Sequence, residues 1–336
     1  MSVKRIASME FQLHVLDPFI IAFHHRDLFP EGNGKMGPKV MPSNKNNGED
    51  FNHNAKWRMY YGNSISGFPV HPHRGFETVT VMIEGFADHF DSKGSKGRYG
   101  QGDVQWMTAG AGVQHSEMFP MLNDDKENPM ELFQIWLNLP AKDKFATPDY
   151  KMFWSEEIPV VEKQGATIKI IAGQYDGVKS LEPLPSSWAH DRKNNVGIWL
   201  ITLAPNATLD IPATSSSLNR VLYNYRGGDV KIADHTIKEK YFAELEGDTL
   251  STVVNGTQTT YLLLLEGEPI KEQVTAQGPF VMNTVGELKQ AFLDYQKTAF
   301  GGWQWETDDP VNAKEDGRFA NYRNGERIEY PPKAKE

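Results

Sequence analysis

His71-Pro72-His73-Arg74-Gly75-Phe76-Glu77-Thr78-Val79-Thr80 opens on two histidines spaced i, i+2 and runs into a β-branched segment; further on, His115-Ser116-Glu117 repeats the spacing. Successive side chains on a strand alternate between faces, so each pair projects two groups to one side. Two such strands facing one another inside a barrel present three imidazoles and a carboxylate to a common point. That set is sufficient to coordinate a divalent metal and leaves positions for water or substrate.

The segments around these pairs read as strands. Thr78–Ile83, Asp103–Met107 and Leu132–Leu137 are rich in β-branched and aromatic residues and are bounded by turn residues. Phe133, Ile135, Leu137 and Leu139 share one face of the last. Gly94, Gly97, Gly100 and Gly102 punctuate the interval between the histidine pairs as hairpin turns would. Short strands at this spacing predict an all-β, antiparallel sandwich or small barrel.

A second strand-rich block follows Pro148, with strands expected at Val196–Leu203, Asn219–Tyr225, Asp229–Ala233 and Thr260–Glu266. It carries no His-x-His pair, and Ile198, Leu200 and Val221 are the expected interior residues. Ser186 to Asn195 reads as a loop, and Pro38 to Asn54 as a long one. Thr284 and Glu287 form a capping box, and Leu288, Ala291, Phe292 and Tyr295 then recur at helical spacing up to Gly301-Gly302. This predicts a helix over Val285–Thr298 packed on β-structure. After Trp305 the chain is polar and aperiodic, and reads as a loosely structured or surface-wrapping tail.

Composition narrows the partners. The 336 residues suffice for about two domains. With 39% hydrophobic residues and a net charge of -9, the chain can bury a core but does not suit a nucleic-acid backbone. Cysteine is absent, so a metal must be held by histidine and carboxylate. No apolar run approaches a membrane span, and no secretory h-region follows Lys4 and Arg5; a cytoplasmic protein is expected.

With its flanks, the first histidine stretch resembles the signature of the pirin family of cupins. Gly102-Asp103-Val104-Gln105-Trp106-Met107-Thr108-Ala109-Gly110, continuing to His115-Ser116-Glu117, is similar to that family too, as are Leu16-Asp17-Pro18-Phe19 and Gly278-Pro279-Phe280-Val281-Met282-Asn283-Thr284. The resemblance implies a bicupin: two antiparallel β-barrels of jelly-roll type with a short C-terminal helix. Its expected parts are a metal-binding cupin domain over 1–147, a metal-free cupin domain over 148–302, and a tail over 303–336. It further implies one Fe(2+) per chain on His71, His73, His115 and Glu117, although imidazole and carboxylate also suit other divalent metals. The implied activity is that of a quercetin 2,3-dioxygenase, in which dioxygen opens a metal-chelating, flavonol-like substrate and Glu117 acts as base. A monomer is expected.

Alternatives accompany each reading. Glu77 occupies the carboxylate position of the general cupin motif, and Glu117 is preferred on the pirin-type His-x-Glu spacing. His24 and His25 are adjacent and point apart. His14, His53, His89, His190 and His235 have no partner at ligand spacing and read as surface or hydrogen-bonded histidines. Phe76, Met107 and Gln134 are candidates for the pocket wall. Against the enzyme stands a regulatory, partner-binding protein with a redox-sensing iron, or a cupin with no reaction at all.

Overall fold

The computed structural model describes residues 2–43, 50–52 and 54–333. His53 and part of the expected 38–54 loop lie outside them. The chain is a bicupin, built almost wholly of strands, with a single α-helix among the described residues at Val285–Thr298. None of the described helices is long and apolar enough to cross a membrane.

Two compact units form, and neither is contiguous. One comprises Phe23–Ile135, Ala141–Glu156 and Glu272–Glu336; the other comprises Met1–Ala22, Trp136–Pro140 and Glu157–Lys271. The boundary expected after residue 147 therefore falls inside the first unit.

The histidine-bearing unit contains a six-stranded sheet, in the order Arg327–Glu329, Phe319–Tyr322, Lys96–Gly100, Phe86–Asp91, Val113–Phe119 and Ser66–His73. A five-stranded sheet runs Asp149–Phe153, Val104–Thr108, Phe76–Glu84, Asn128–Asn138 and Phe19–Phe29. Phe29, Tyr60, Met82, Tyr99, Met107, Leu132 and Tyr150 share one buried cluster. The turn between Ser66–His73 and Phe76–Glu84 requires glycine: Gly75 has φ of 87°, and a Cβ there would stand 2.0 Å from the Val281 carbonyl oxygen.

The second unit has a seven-stranded and a four-stranded sheet around Ile168, Ile170, Trp199, Ile201, Leu203, Leu222, Leu262 and Leu264. This corrects the expected interior set. Trp199, Ile201 and Leu222 point into that cluster, whereas Leu200 is half-buried and Ile198 and Val221 are buried on the other face. Gly197–Leu203 is apolar at nearly every position, so alternation could not choose the face.

Both closing segments join the histidine-bearing unit. The helix is capped as expected, with the Thr284 hydroxyl accepting from the Glu287 amide and the Glu287 carboxylate accepting from the Thr284 amide. Leu288, Ala291, Phe292 and Tyr295 pack on Phe280, Met282 and Phe300. The tail is not loose: Phe319–Tyr322 pairs with Lys96–Gly100 and with Arg327–Glu329, extending the sheet by two strands.

Candidate metal centre

Strand register brings the histidines together. Ser66–His73 pairs antiparallel with Val113–Phe119 so that His71 lies opposite His115. Residues directly opposite share a face, and so do residues two apart, which places His71, His73 and His115 on the same side. Their ligand atoms all lie within 4.8 Å of one another, close enough to share one ion. Among the described residues this is the only such cluster of histidine and carboxylate groups.

Both histidine-bearing strands are braced from the helix end. Arg74, next to His73, donates to the Ala111 carbonyl (2.7 Å) and to Asp294 of the helix (2.7 Å). Gln114, next to His115, donates to the Ala299 carbonyl (2.7 Å) and accepts from the Tyr295 hydroxyl (2.9 Å). The His71 Nδ1 is 2.8 Å from the Pro69 carbonyl oxygen, which fixes the tautomer and leaves Nε2 as the free donor atom.

Electrostatics favours neutral imidazoles. Burial lowers the His71 pKa to about 4, against the hydrogen bond to Pro69. It pushes His73 and His115 well below the usual range as well, aided by the neighbouring imidazoles. His115 is wholly buried, and neither of its ring nitrogens has a hydrogen-bond partner among the described residues. In a neutral imidazole one nitrogen carries the proton and the other a lone pair; leaving that lone pair unmet costs about 1–3 kcal/mol, and a metal ion would take it. The donor set thus fits a divalent cation.

Glu117 stands at the edge of the cluster. Its Oε2 is 3.9 Å from His115 Nε2 and accepts from the Gln134 amide (2.9 Å). Its Oε1 accepts from the hydroxyls of Thr80 (3.1 Å) and Tyr99 (3.4 Å). Burial raises its pKa, with His89 and these three donors opposing. Glu77 goes elsewhere: its Oε1 accepts from the Thr108 hydroxyl across the other sheet (2.6 Å). Of the pocket-wall candidates, Gln134 reaches Glu117, Phe76 lies 5.0 Å from the His73 ring, and Met107 packs in the core.

One histidine read as unpartnered belongs here. His89 lies opposite Glu117 in register, its ring 5.5 Å from that of His115, and its Nε2 is 3.4 Å from Asp91 Oδ2. The only signal in the sequence was the His89-x-Asp91 spacing, with the same i, i+2 parity as the other pairs. His24 and His25 do point apart: His24 stacks on Phe133 near Glu131, and His25 meets the Tyr60 hydroxyl.

Known proteins agree with this architecture. The pirin family pattern matches residues 39–137, and the pirin C-terminal cupin domain matches 198–301. Pirin of Homo sapiens is 36% identical over 250 residues, covering 72% of this chain and 80% of its own. A Pseudomonas aeruginosa protein, named provisionally as a quercetin 2,3-dioxygenase, is 33% identical over 238 residues, covering 70% and 79%. A crystal structure of quercetin 2,3-dioxygenase from Acinetobacter baumannii superposes with a TM-score of 0.70 at 24% identity, covering 90% of this chain and 98% of that one, and so shares the fold. The paired histidines, the two family matches and similarities that span about seven-tenths of the chain lead to one conclusion: the chain belongs to the pirin family of the cupin superfamily.

Proposed function

We propose that this chain is a mononuclear, iron-dependent dioxygenase that opens a flavonol-like substrate, with one Fe(2+) per chain held by His71, His73, His115 and Glu117. The observation that carries the reading is the wholly buried His115, neither of whose ring nitrogens is hydrogen-bonded among the described residues, inside a triad whose ligand atoms lie within 4.8 Å of one another. The provisional quercetin dioxygenase name of the Pseudomonas relative supports the substrate class.

A divalent metal held by these residues would supply Lewis acidity to an oxygen-chelating, flavonol-like substrate. The protein's own groups do the rest. Glu117, with its pKa raised by burial, accepts the substrate's hydroxyl proton, and Gln134, Thr80 and Tyr99 hold its carboxylate in place. Phe68, half-buried with its ring 6.4 Å from that of His71, offers an apolar face to an aromatic substrate. Dioxygen is the co-substrate, and ring cleavage releases carbon monoxide.

Elemental analysis and an oxygen electrode test the proposal. About one iron per chain is expected after anaerobic reconstitution, with loss of metal in His71→Ala and His115→Ala. Oxygen uptake should match flavonol loss. Quercetin turnover undiminished in His115→Ala would overturn the enzymatic reading.

A further inference from the structure

The strand that carries His71 and His73 has one residue too many. Its pairing with Val113–Phe119 sets Phe68 opposite Glu117 and then resumes with His71 opposite His115. Pro69 and Val70 therefore share the place facing Ser116, which is a β-bulge. On a regular strand Phe68 and His71, three apart, would point to opposite faces. The extra residue turns Phe68, His71 and His73 all toward the face of His115 and Glu117. Without the bulge, both histidines would leave the site.

A bulge needs something to hold it, because its amides fall out of the ladder. Pro69 has no N–H, and the Val70 amide donates to the carbonyl of Asp308 in the tail, at 2.7 Å. The Pro69 carbonyl is the group 2.8 Å from His71 Nδ1. Asp308 thus lies two hydrogen bonds and one peptide away from an imidazole of the triad.

The tail is pinned on both sides of Asp308. Upstream, Trp305 Nε1 donates to the Asp91 carbonyl (2.9 Å) and its ring meets Phe90 edge-on at 4.9 Å. Asp91 lies opposite His115 in register. Downstream, the Asn312 amide donates to Asp88 (2.9 Å) and its side chain donates to the Gly97 carbonyl (2.9 Å). Asp88 is ion-paired with Arg98 (2.7 Å), and both are fully buried. Arg98 also donates to the carbonyls of Ala313 (3.0 Å) and Asp316 (2.8 Å). These anchors all sit on the sheet that carries the triad.

We propose that residues 303–312 are a positioning strap for the metal centre, holding the Pro69-Val70 bulge and, through it, the orientation of His71. The proposal rests on the reading of the histidine triad as a metal site. It assigns a role to a segment beyond the matched cupin domains, which end at residue 301.

The test uses the full chain and Ni(II), titrated against a competing chelator, together with hydrogen exchange at the Val70 amide. Trp305→Ala removes the upstream anchor; Trp305→Phe, which keeps a ring but loses the donor, serves if the first variant does not fold. Exchange at Val70 should speed up, and Ni(II) affinity should fall on the order of 10- to 100-fold at a temperature where the protein remains folded. Ile328→Ala, an exposed change past the strap, should alter neither. Faster Val70 exchange with parental Ni(II) affinity would overturn the strap, and so would unchanged Val70 exchange in Trp305→Ala and Trp305→Phe alike. Parent protein that binds Ni(II) no better than His115→Ala would instead overturn the metal reading itself.

Discussion

Glu77 and Glu117 look equivalent in the sequence, and backbone geometry separates them. Counted along one unbroken strand, Glu77 has the parity of His71 and His73. The turn at Gly75, with its positive φ, ends that strand and restarts the alternation on another sheet, where Glu77 meets Thr108. No break separates His115 from Glu117, which stay on one strand and one face. The i, i+2 pairs were therefore legible from spacing alone, whereas the fate of Glu77 depended on a turn. Glu117→Gln keeps the side-chain size and loses the charge, and is expected to weaken Ni(II) or iron retention on the order of 10- to 100-fold. Glu77→Gln should leave metal retention near the parental value. Chelator competition on the two variants decides it, and the reverse ranking would hand the carboxylate role to Glu77.

At the scale of elements, the strongly alternating and capped segments were legible, and the rest depended on contacts distant in sequence. Leu132–Leu137, inside the longer Asn128–Asn138 strand, and the Val285–Thr298 helix announce themselves by period and cap. The tail strands are three and four residues long and gain their place from the sheet edge they extend, so no periodicity marks them. The Phe19–Phe29 strand hides a second such dependence. His25 Nδ1 is 2.8 Å from the Tyr60 hydroxyl, which donates to Asp27 (2.8 Å), and Arg58 donates to Asp27 (3.0 Å). Burial lowers the His25 pKa to about 3 and raises that of Asp27 to about 6. A depressed histidine binds fewer protons folded than unfolded, so its contribution is full above about 6.5 and is lost as pH falls toward about 3. The raised carboxyl has the opposite slope, its contribution being lost as pH rises from about 4 to about 6. The two offset one another across that window. His25→Gln removes only the first, so relative to the parent it should gain stability as pH falls below 6.5, by at most about 1.4 kcal/mol per pH unit. Urea midpoints between pH 4 and 7 measure this, and parallel curves would contradict it.

At the scale of the whole molecule, the order of segments along the chain does not match their grouping in space. The histidine-bearing unit takes its proposed ligands from the first half and completes itself with residues 141–156 and 272–336. A fragment of residues 1–147 would keep His71, His73, His115 and Glu117, yet it would lack much of what surrounds them. Val104–Thr108 would lose its Asp149–Phe153 neighbour, and the shared core would lose Tyr150, Met152 and Tyr322. Arg74 would lose Asp294, and Lys144, which donates to the Gly75 and Val281 carbonyls, would lose the second. Removal of residues 303–336 would also take from Arg98 the Ala313 and Asp316 carbonyls to which it donates, and from Asp88 the Asn312 amide it accepts from. The fragment is therefore expected to aggregate in size-exclusion chromatography, with or without Ni(II), because binding energy cannot be realised on strands that are not held. A soluble, monomeric, metal-loaded fragment of residues 1–147 would show that the ligand strands fold on their own, and that the later segments only decorate a complete site.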